Sequence, residues 1–255
     1  VLKNDLKRAR QAYQNVIDNE PNNPSAHYYL ALLDRHQGHL KDAMVHLDKV
    51  LAIEHEHLGA LTAKVSLYLA QNQPAEALSF VDQAIAQHDK NVKIAPLLHQ
   101  MRGEVLFSQR NYENAEAAFQ EALDLNSDLV APYLSLANLY LAKDEASKAI
   151  SQYEEMLKKQ PDFVRAYVGL GTIYEAQGKK PEARNMYKKA LGINPDFAPA
   201  ANHLASLLLE QNEDVDRALE LARKAKAQMP NDPQVASTLG LAFISKGQYA
   251  NAINE

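Results

Sequence analysis

Bulky apolar, small apolar and polar residues alternate along this chain with a period of 34 residues. The period is plainest from Val130 to Phe197. There V-A-P-Y-L-S-L-A-N-L-Y lies over V-R-A-Y-V-G-L-G-T-I-Y, pairing Tyr133 with Tyr167, Leu136 with Leu170, Ala137 with Gly171 and Tyr140 with Tyr174. The second halves align as well, with Ala149 over Ala183, Tyr153 over Tyr187, Met156 over Ala190 and Pro161 over Pro195. Each period predicts two helices, A and B, joined by a turn. A helix with one apolar stripe must bury it against a neighbour. Gly or Ala at the eighth position of helix A, and Ala near the start of helix B, let the two approach closely, while Leu, Tyr and Phe fill the space beside them. Proline after helix B, as in Q-P-D-F and N-P-D-F, has no amide hydrogen and turns the chain into the next unit.

The same frame runs through the rest of the chain. A lone helix B occupies residues 5–23, with Ala9, Tyr13 and Val16 in the slots of Ala149, Tyr153 and Met156; its missing partner is expected upstream in a longer protein. Complete units follow at 24–57, 58–91, 96–129, 130–163, 164–197 and 198–232, with a truncated one at 233–255. The unit at 58–91 is weaker, since Lys64 and Val65 replace the usual large and small pair. Val92 to Ala95 are extra, and are expected in a loop or an early helical turn because Pro96 suits a helix start. The expectation is one all-α array over residues 1–255.

This pattern resembles the tetratricopeptide repeat (TPR), and the resemblance covers the chain from Asp5 to Glu255. About seven copies in register leave little room for another architecture. The resemblance implies a right-handed superhelix of antiparallel helix pairs, with A helices lining a concave groove that binds a protein or peptide segment. A narrower resemblance lies in N-H-L-A-S-L-L-L-E-Q-N-E-D-V-D-R-A-L-E-L-A-R-K-A followed by P-N-D-P-Q-V-A-S-T-L-G-L. It is similar to the closing repeats of bacterial envelope TPR proteins, including lipoproteins of exopolysaccharide and exosortase systems. That implies a bacterial periplasmic or envelope setting. The chain departs from those sequences at Ser206 and Leu241, where they often have Trp, and at Ser237, where they have Asp.

In such a superhelix the second, fifth, ninth and twelfth positions of helix A face the groove. The resemblance therefore nominates Tyr28, Leu32 and Arg35, then Gln100, Glu104 and Phe107, then Leu134, Asn138 and Leu141. Arg165, Val168, Thr172 and Glu175 follow, and Asn202, Ser206 and Leu209 complete the set. This mostly neutral surface suits apolar pockets, with Asn138 and Asn202 offering amide groups to a peptide backbone. The alternative, that these are solvated residues and the contact surface lies elsewhere, stands beside it. The chaperone carboxylate clamp of the family needs Lys, Asn and Arg at set places in three consecutive repeats. Here Gln100, Glu104, Ser135, Arg165 and Gly169 stand there, so chaperone-tail binding is not expected.

Composition narrows the classes. With 46% hydrophobic and 23% charged residues the chain can bury a core, and a net charge of -5 disfavours nucleic acid as partner. No apolar run reaches the roughly 20 residues that cross a bilayer, so direct membrane insertion is not expected. There is no cysteine, hence no disulfide or thiol nucleophile. Six of nine histidines fall between His27 and His57, and H-E-H at His55 to His57 invites a metal. The turns divide the group, however, with His36 and His39 at one end and His27, His55 and His57 at the other; solvated histidines are the expectation. Gly169 and Gly171 lack the third glycine of a dinucleotide loop and read as packing residues. In N-E-D-V-D, Arg217 and Arg223 stand where a calcium loop needs Gly and Glu. No nucleophile elbow, Walker loop or triad spacing is present, and no cofactor or enzymatic activity is expected. Two other readings remain: a substrate-presenting arm of a larger enzyme such as a glycosyltransferase, or a scaffold that self-associates through Leu2 and Leu6 or through Leu241, Phe243 and Ile253.

Overall fold

The computed structural model describes residues 2–254, with side chains from residue 5 onward, so the Leu2 side chain lies outside the described residues. All of its regular elements are helices. The lone helix is α1 (Leu2–Asn19). Hairpins follow as α2 (Pro24–His36) with α3 (Leu40–Ile53), α4 (Leu58–Ala70) with α5 (Pro74–His88), and α6 (Ala95–Ser108) with α7 (Tyr112–Leu125). Next come α8 (Val130–Ala142) with α9 (Ala146–Lys159), α10 (Val164–Ala176) with α11 (Lys180–Ile193), α12 (Ala198–Glu210) with α13 (Val215–Gln228), and α14 (Pro233–Ser245) with α15 (Tyr249–Ile253). The even-numbered helices are the A helices. By compactness the chain divides into a unit of residues Val1–Ser135 and a unit of Leu136–Glu255, the boundary falling within α8. In the first unit each helix from α1 to α7 packs on the next; in the second, α9 to α15 do the same, and α12 also touches α14.

Each of the seven A helices ends in the same turn. A residue with positive φ follows the helix: Gly38, Asn72, Arg110, Asp144, Gly178, Asn212 and Gly247. The next N–H then reaches back five residues to a carbonyl, from His39 to Asp34, Gln73 to Tyr68, Asn111 to Leu106, Glu145 to Tyr140, Lys179 to Tyr174, Glu213 to Leu208 and Gln248 to Phe243, at 2.7 to 3.0 Å. This closure satisfies carbonyls that the helix end leaves unpaired and reverses the chain in two residues. Glycine adopts the left-handed turn freely, but Arg110 at φ 59° does so against its Cβ.

The hairpins then close on small residues. Ala43, Ala77, Ala115, Ala149, Ala183 and Ala218, one on each B helix from α3 to α13, have no exposed surface. On the facing helices a Cβ added to Gly103 would lie 2.4 Å from the Phe119 ring, and one added to Gly171 would lie 2.4 Å from the Tyr187 ring. Gly169 on α10 faces the other way, against Tyr153 of the preceding B helix, also at 2.4 Å. The two glycines of G-L-G are thus packing residues on opposite sides of one helix. The extra residues before Pro96 form a turn whose Ile94 is buried with Leu98 and Met101, and Ala95 opens α6.

Three substitutions separate seam from surface. Gly171→Ala and Ala183→Leu should each lower stability by about 1–3 kcal/mol through overpacking. Gly192→Ala on the same hairpin, where an added Cβ meets nothing within 4 Å, should raise it by about 0.5–1 kcal/mol by removing a helical glycine. Arg110→Gly should also be stabilising, by about 0.5–1 kcal/mol, as left-handed strain is relieved. Urea unfolding checks all four, and an unchanged midpoint for Gly171→Ala or Ala183→Leu refutes the alignment.

Candidate partner-binding face

The nominated A-helix positions do not share one environment. In the first unit, Tyr28 is half-buried with its ring 4.7 Å from that of His57, Leu32 is half-buried and Arg35 is exposed. Gln100 is buried, and its Nε2 donates to Glu104 Oε1 and to Ser135 Oγ, both at 2.9 Å, so it ties α6 to the start of α8. Its Oε1 is buried and receives no donor. Glu104 is exposed, Phe107 is half-buried with its ring 5.7 Å from Tyr112, and Leu134 is half-buried.

In the second unit, Asn138 and Arg165 are exposed, and Leu141 keeps 40% of its surface in water. Val168 and Leu209 pack against the core of that unit. The Thr172 hydroxyl turns back on its own helix and donates to the Gly169 carbonyl at 2.8 Å. Ser206 is half-buried. Asn202 is 8% exposed, and its Oδ1 receives no donor.

Glu175 is half-buried, and its carboxylate is held by neighbouring side chains. Its Oε2 accepts from the Tyr187 hydroxyl at 2.6 Å and lies 3.5 Å from His203 Nδ1, while the His203 ring stacks on Tyr187 with centroids 5.0 Å apart. Tyr187 has no exposed surface, and burial first, then the Glu175 hydrogen bond, pushes its phenol far above the ordinary tyrosine range. The spacing of Glu175, Tyr187 and His203 is not helical, and only adjacent repeats bring them together. No periodicity could have found the group.

The histidines divide as the turns require. His57 caps α4, its Nδ1 accepting from Ala60 N at 3.1 Å; His55 Nδ1 lies 2.6 Å from the Leu51 carbonyl, and His88 Nδ1 lies 3.6 Å from Glu56. Among the described residues Asp34, His39 and Asp42 hold one donor atom each within 4.8 Å, but Arg10 Nη2 already sits 2.5 Å from Asp34 Oδ1. We assign no metal ligand to this ion-pair cluster. In N-E-D-V-D, Asp214 caps α13 by accepting from Arg217 N at 3.1 Å. A cleft of about 460 Å³ between α11 and α13, floored by Leu204 and Leu208, contains none of the nominated residues. Among the described residues no helix is long and apolar enough to cross a membrane.

The family model for the tetratricopeptide repeat protein 21 N-terminal ARM repeat matches residues 4–213. The chain belongs to this family of TPR proteins. A tetratricopeptide repeat protein from Parabacteroides merdae is 21% identical, with a TM-score of 0.64 over 94% of this chain and 93% of its own. Yeast Tom70 is 18% identical with a TM-score of 0.73 over 98% of this chain, which spans 53% of that one. PilF of Pseudomonas aeruginosa is 19% identical with a TM-score of 0.61, covering 91% and 97%. These likenesses show the TPR fold. No curated protein matches the sequence.

The Glu175–Tyr187 pair has a measurable role in this TPR protein. Glu175→Ala should leave the buried phenol without an acceptor and cost about 1–3 kcal/mol in urea unfolding; Glu175→Gln, which keeps an acceptor, should cost less. Because the folded Tyr187 holds its proton to higher pH than the unfolded chain, its contribution is complete below pH 10 and declines as pH rises above it.

Proposed function

We propose that this TPR protein is a non-catalytic interaction scaffold that grips an extended protein segment on its A-helix faces. The observation that carries the reading is the pair Gln100 and Asn202. They occupy the fifth position of two A helices, one in each unit, and each is buried with an amide oxygen that receives no donor. Buried acceptors are nearly always satisfied, and an unsatisfied one costs roughly 1–3 kcal/mol. Both oxygens are closed to solvent as the side chains stand, so the backbone N–H of an extended segment reaches them only when the amide turns outward to meet it.

Other nominated side chains of the second unit supply what a segment needs beyond its backbone. Arg165 on α10 and Asn138 on α8 are exposed, and Leu141, also on α8, is an exposed apolar side chain. Arg165 suits a carboxylate on the partner, and Asn138 a backbone amide. The bacterial envelope setting forms part of the same proposal and rests on the sequence resemblance of the region from Asn202 to Leu241.

A second reading is favoured by one separate observation. Leu241, Ile244, Tyr249 and Ile253 on α14 and α15 are all large, apolar and exposed, so this face suits self-association. Light scattering across a range of concentrations checks it, and a strict monomer removes it.

For the primary reading, a partner is captured from native cells and its affinity measured for the wild type and for Asn138→Ala/Leu141→Ala. The expected result is at least about tenfold weaker binding, equivalent to 1.4 kcal/mol, with an unchanged thermal midpoint. Unaltered affinity moves the site off this face.

A further inference from the structure

The first hairpin contains a line of polar atoms with one proton fewer than it has gaps. His27 Nε2 lies 2.9 Å from the Pro21 carbonyl oxygen, and His27 Nδ1 lies 2.9 Å from His46 Nδ1. At the far end His46 Nε2 lies 3.8 Å from Asp34 Oδ2. A carbonyl has no proton to give, so His27 must donate through Nε2. A neutral imidazole carries a single N–H. His27 Nδ1 is therefore an acceptor, and His46 must donate to it through its own Nδ1.

That assignment leaves a lone pair on His46 Nε2, aimed at a carboxylate oxygen. Asp34 is 1% exposed, Arg10 Nη2 holds its Oδ1 at 2.5 Å, and its Oδ2 receives no donor at all. The reverse assignment, with His46 donating from Nε2, leaves two acceptors in contact at His27 and Pro21, at 2.9 Å. The long gap of 3.8 Å, beyond hydrogen-bond reach, marks the link that lacks its proton.

We propose that this line is a proton-uptake site: in mild acid His46 takes one proton from solvent at Nε2, and the open His46–Asp34 gap closes into a charge-assisted hydrogen bond. No bond is broken and no co-reactant is needed.

Groups on every packed helix act on the site. Arg10 comes from α1, His27 and Asp34 from α2, His39 from the turn, and Asp42 and Lys49 from α3 itself; Lys64, the one charged residue of α4, is paired with Asp48 at 2.5 Å. Burial first, then His27, Lys49 and Arg10, hold His46 below its ordinary 6.5, and Asp34 alone pulls it up. Uptake therefore falls below pH 6.5. The unfolded chain binds this proton more readily than the folded one, so the stability linked to neutral His46 is complete above pH 6.5 and is lost as pH falls through the folded value.

Closure also loads a second cation onto Asp34. Arg10, which bonds Asp34 and Gln37, is one of the contacts that hold α1 on α2. Protonation of His46 thus weakens the seat of α1 in acid, and the docking of that helix reports pH.

The test is a histidine-ring nitrogen–proton NMR titration of the full 255-residue chain from about pH 8 to 4.5. The expected result is an Nδ1–H tautomer for His46 and an Nε2–H tautomer for His27 at pH 8, with the His46 midpoint below 6.5. Asp34→Asn should lower the His46 midpoint further. Arg10→Met, at a half-exposed position that tolerates truncation if Asp34→Asn does not fold, should raise it. An Nε2–H tautomer for His46 at pH 8, or a midpoint at or above 6.5, would overturn the proposal. So would one equivalent of zinc shifting the His46 resonances at pH 8, since the lone pair would then belong to a metal.

Discussion

The fold depends on how closely an A helix can approach its B helix, and that distance is set by the absence of atoms. At Gly171 the missing Cβ is the space that the Tyr187 ring occupies, and at Gly103 it is the space of Phe119. Fully buried alanines on the B helices serve the same seam. With the helices this close, Phe119 fills the layer of one hairpin and Tyr187 that of another, and the polar end of the buried phenol must find a partner within the same layer. Tyr187 finds Glu175, so a packing constraint dictates where a charge has to sit.

Much of this was legible in the sequence because it is periodic. The helix boundaries, the small-residue seams, the packing role of Gly169 and Gly171 and the helix start at Pro96 all follow from one frame repeated several times. What was not legible depends on residues brought together from different helices, within one hairpin or between neighbouring repeats. The fifth position of helix A reads as groove-lining, yet Gln100 reaches Ser135 of the next A helix and Asn202 is buried. Sequence adjacency singled out H-E-H, whereas the histidines that interact are His27 and His46, on opposite helices of one hairpin. Glu175 looked like a free groove carboxylate only because nothing local announces the phenol above it.

Architecture and the proposed binding face are written in different residues. Small residues and left-handed turns specify the hairpins and carry no information about a ligand. Asn138, Leu141 and Arg165 are among the exposed A-helix side chains. Gln100 and Asn202 are buried, each with one amide oxygen that receives no donor. Natural sequences tolerate such local inconsistency where function requires it.

The left-handed residue that follows each of the seven A helices has a further consequence. Because each hairpin is closed by a main-chain bond spanning the same five residues, and the turn accepts Gly, Asn, Asp and even Arg, its geometry is insensitive to side-chain identity. A repeat can then be duplicated, exchanged or recombined at these joints without shifting the register of its neighbours. Evolvability in this chain is a property of its backbone, which leaves the exposed A-helix positions free to vary.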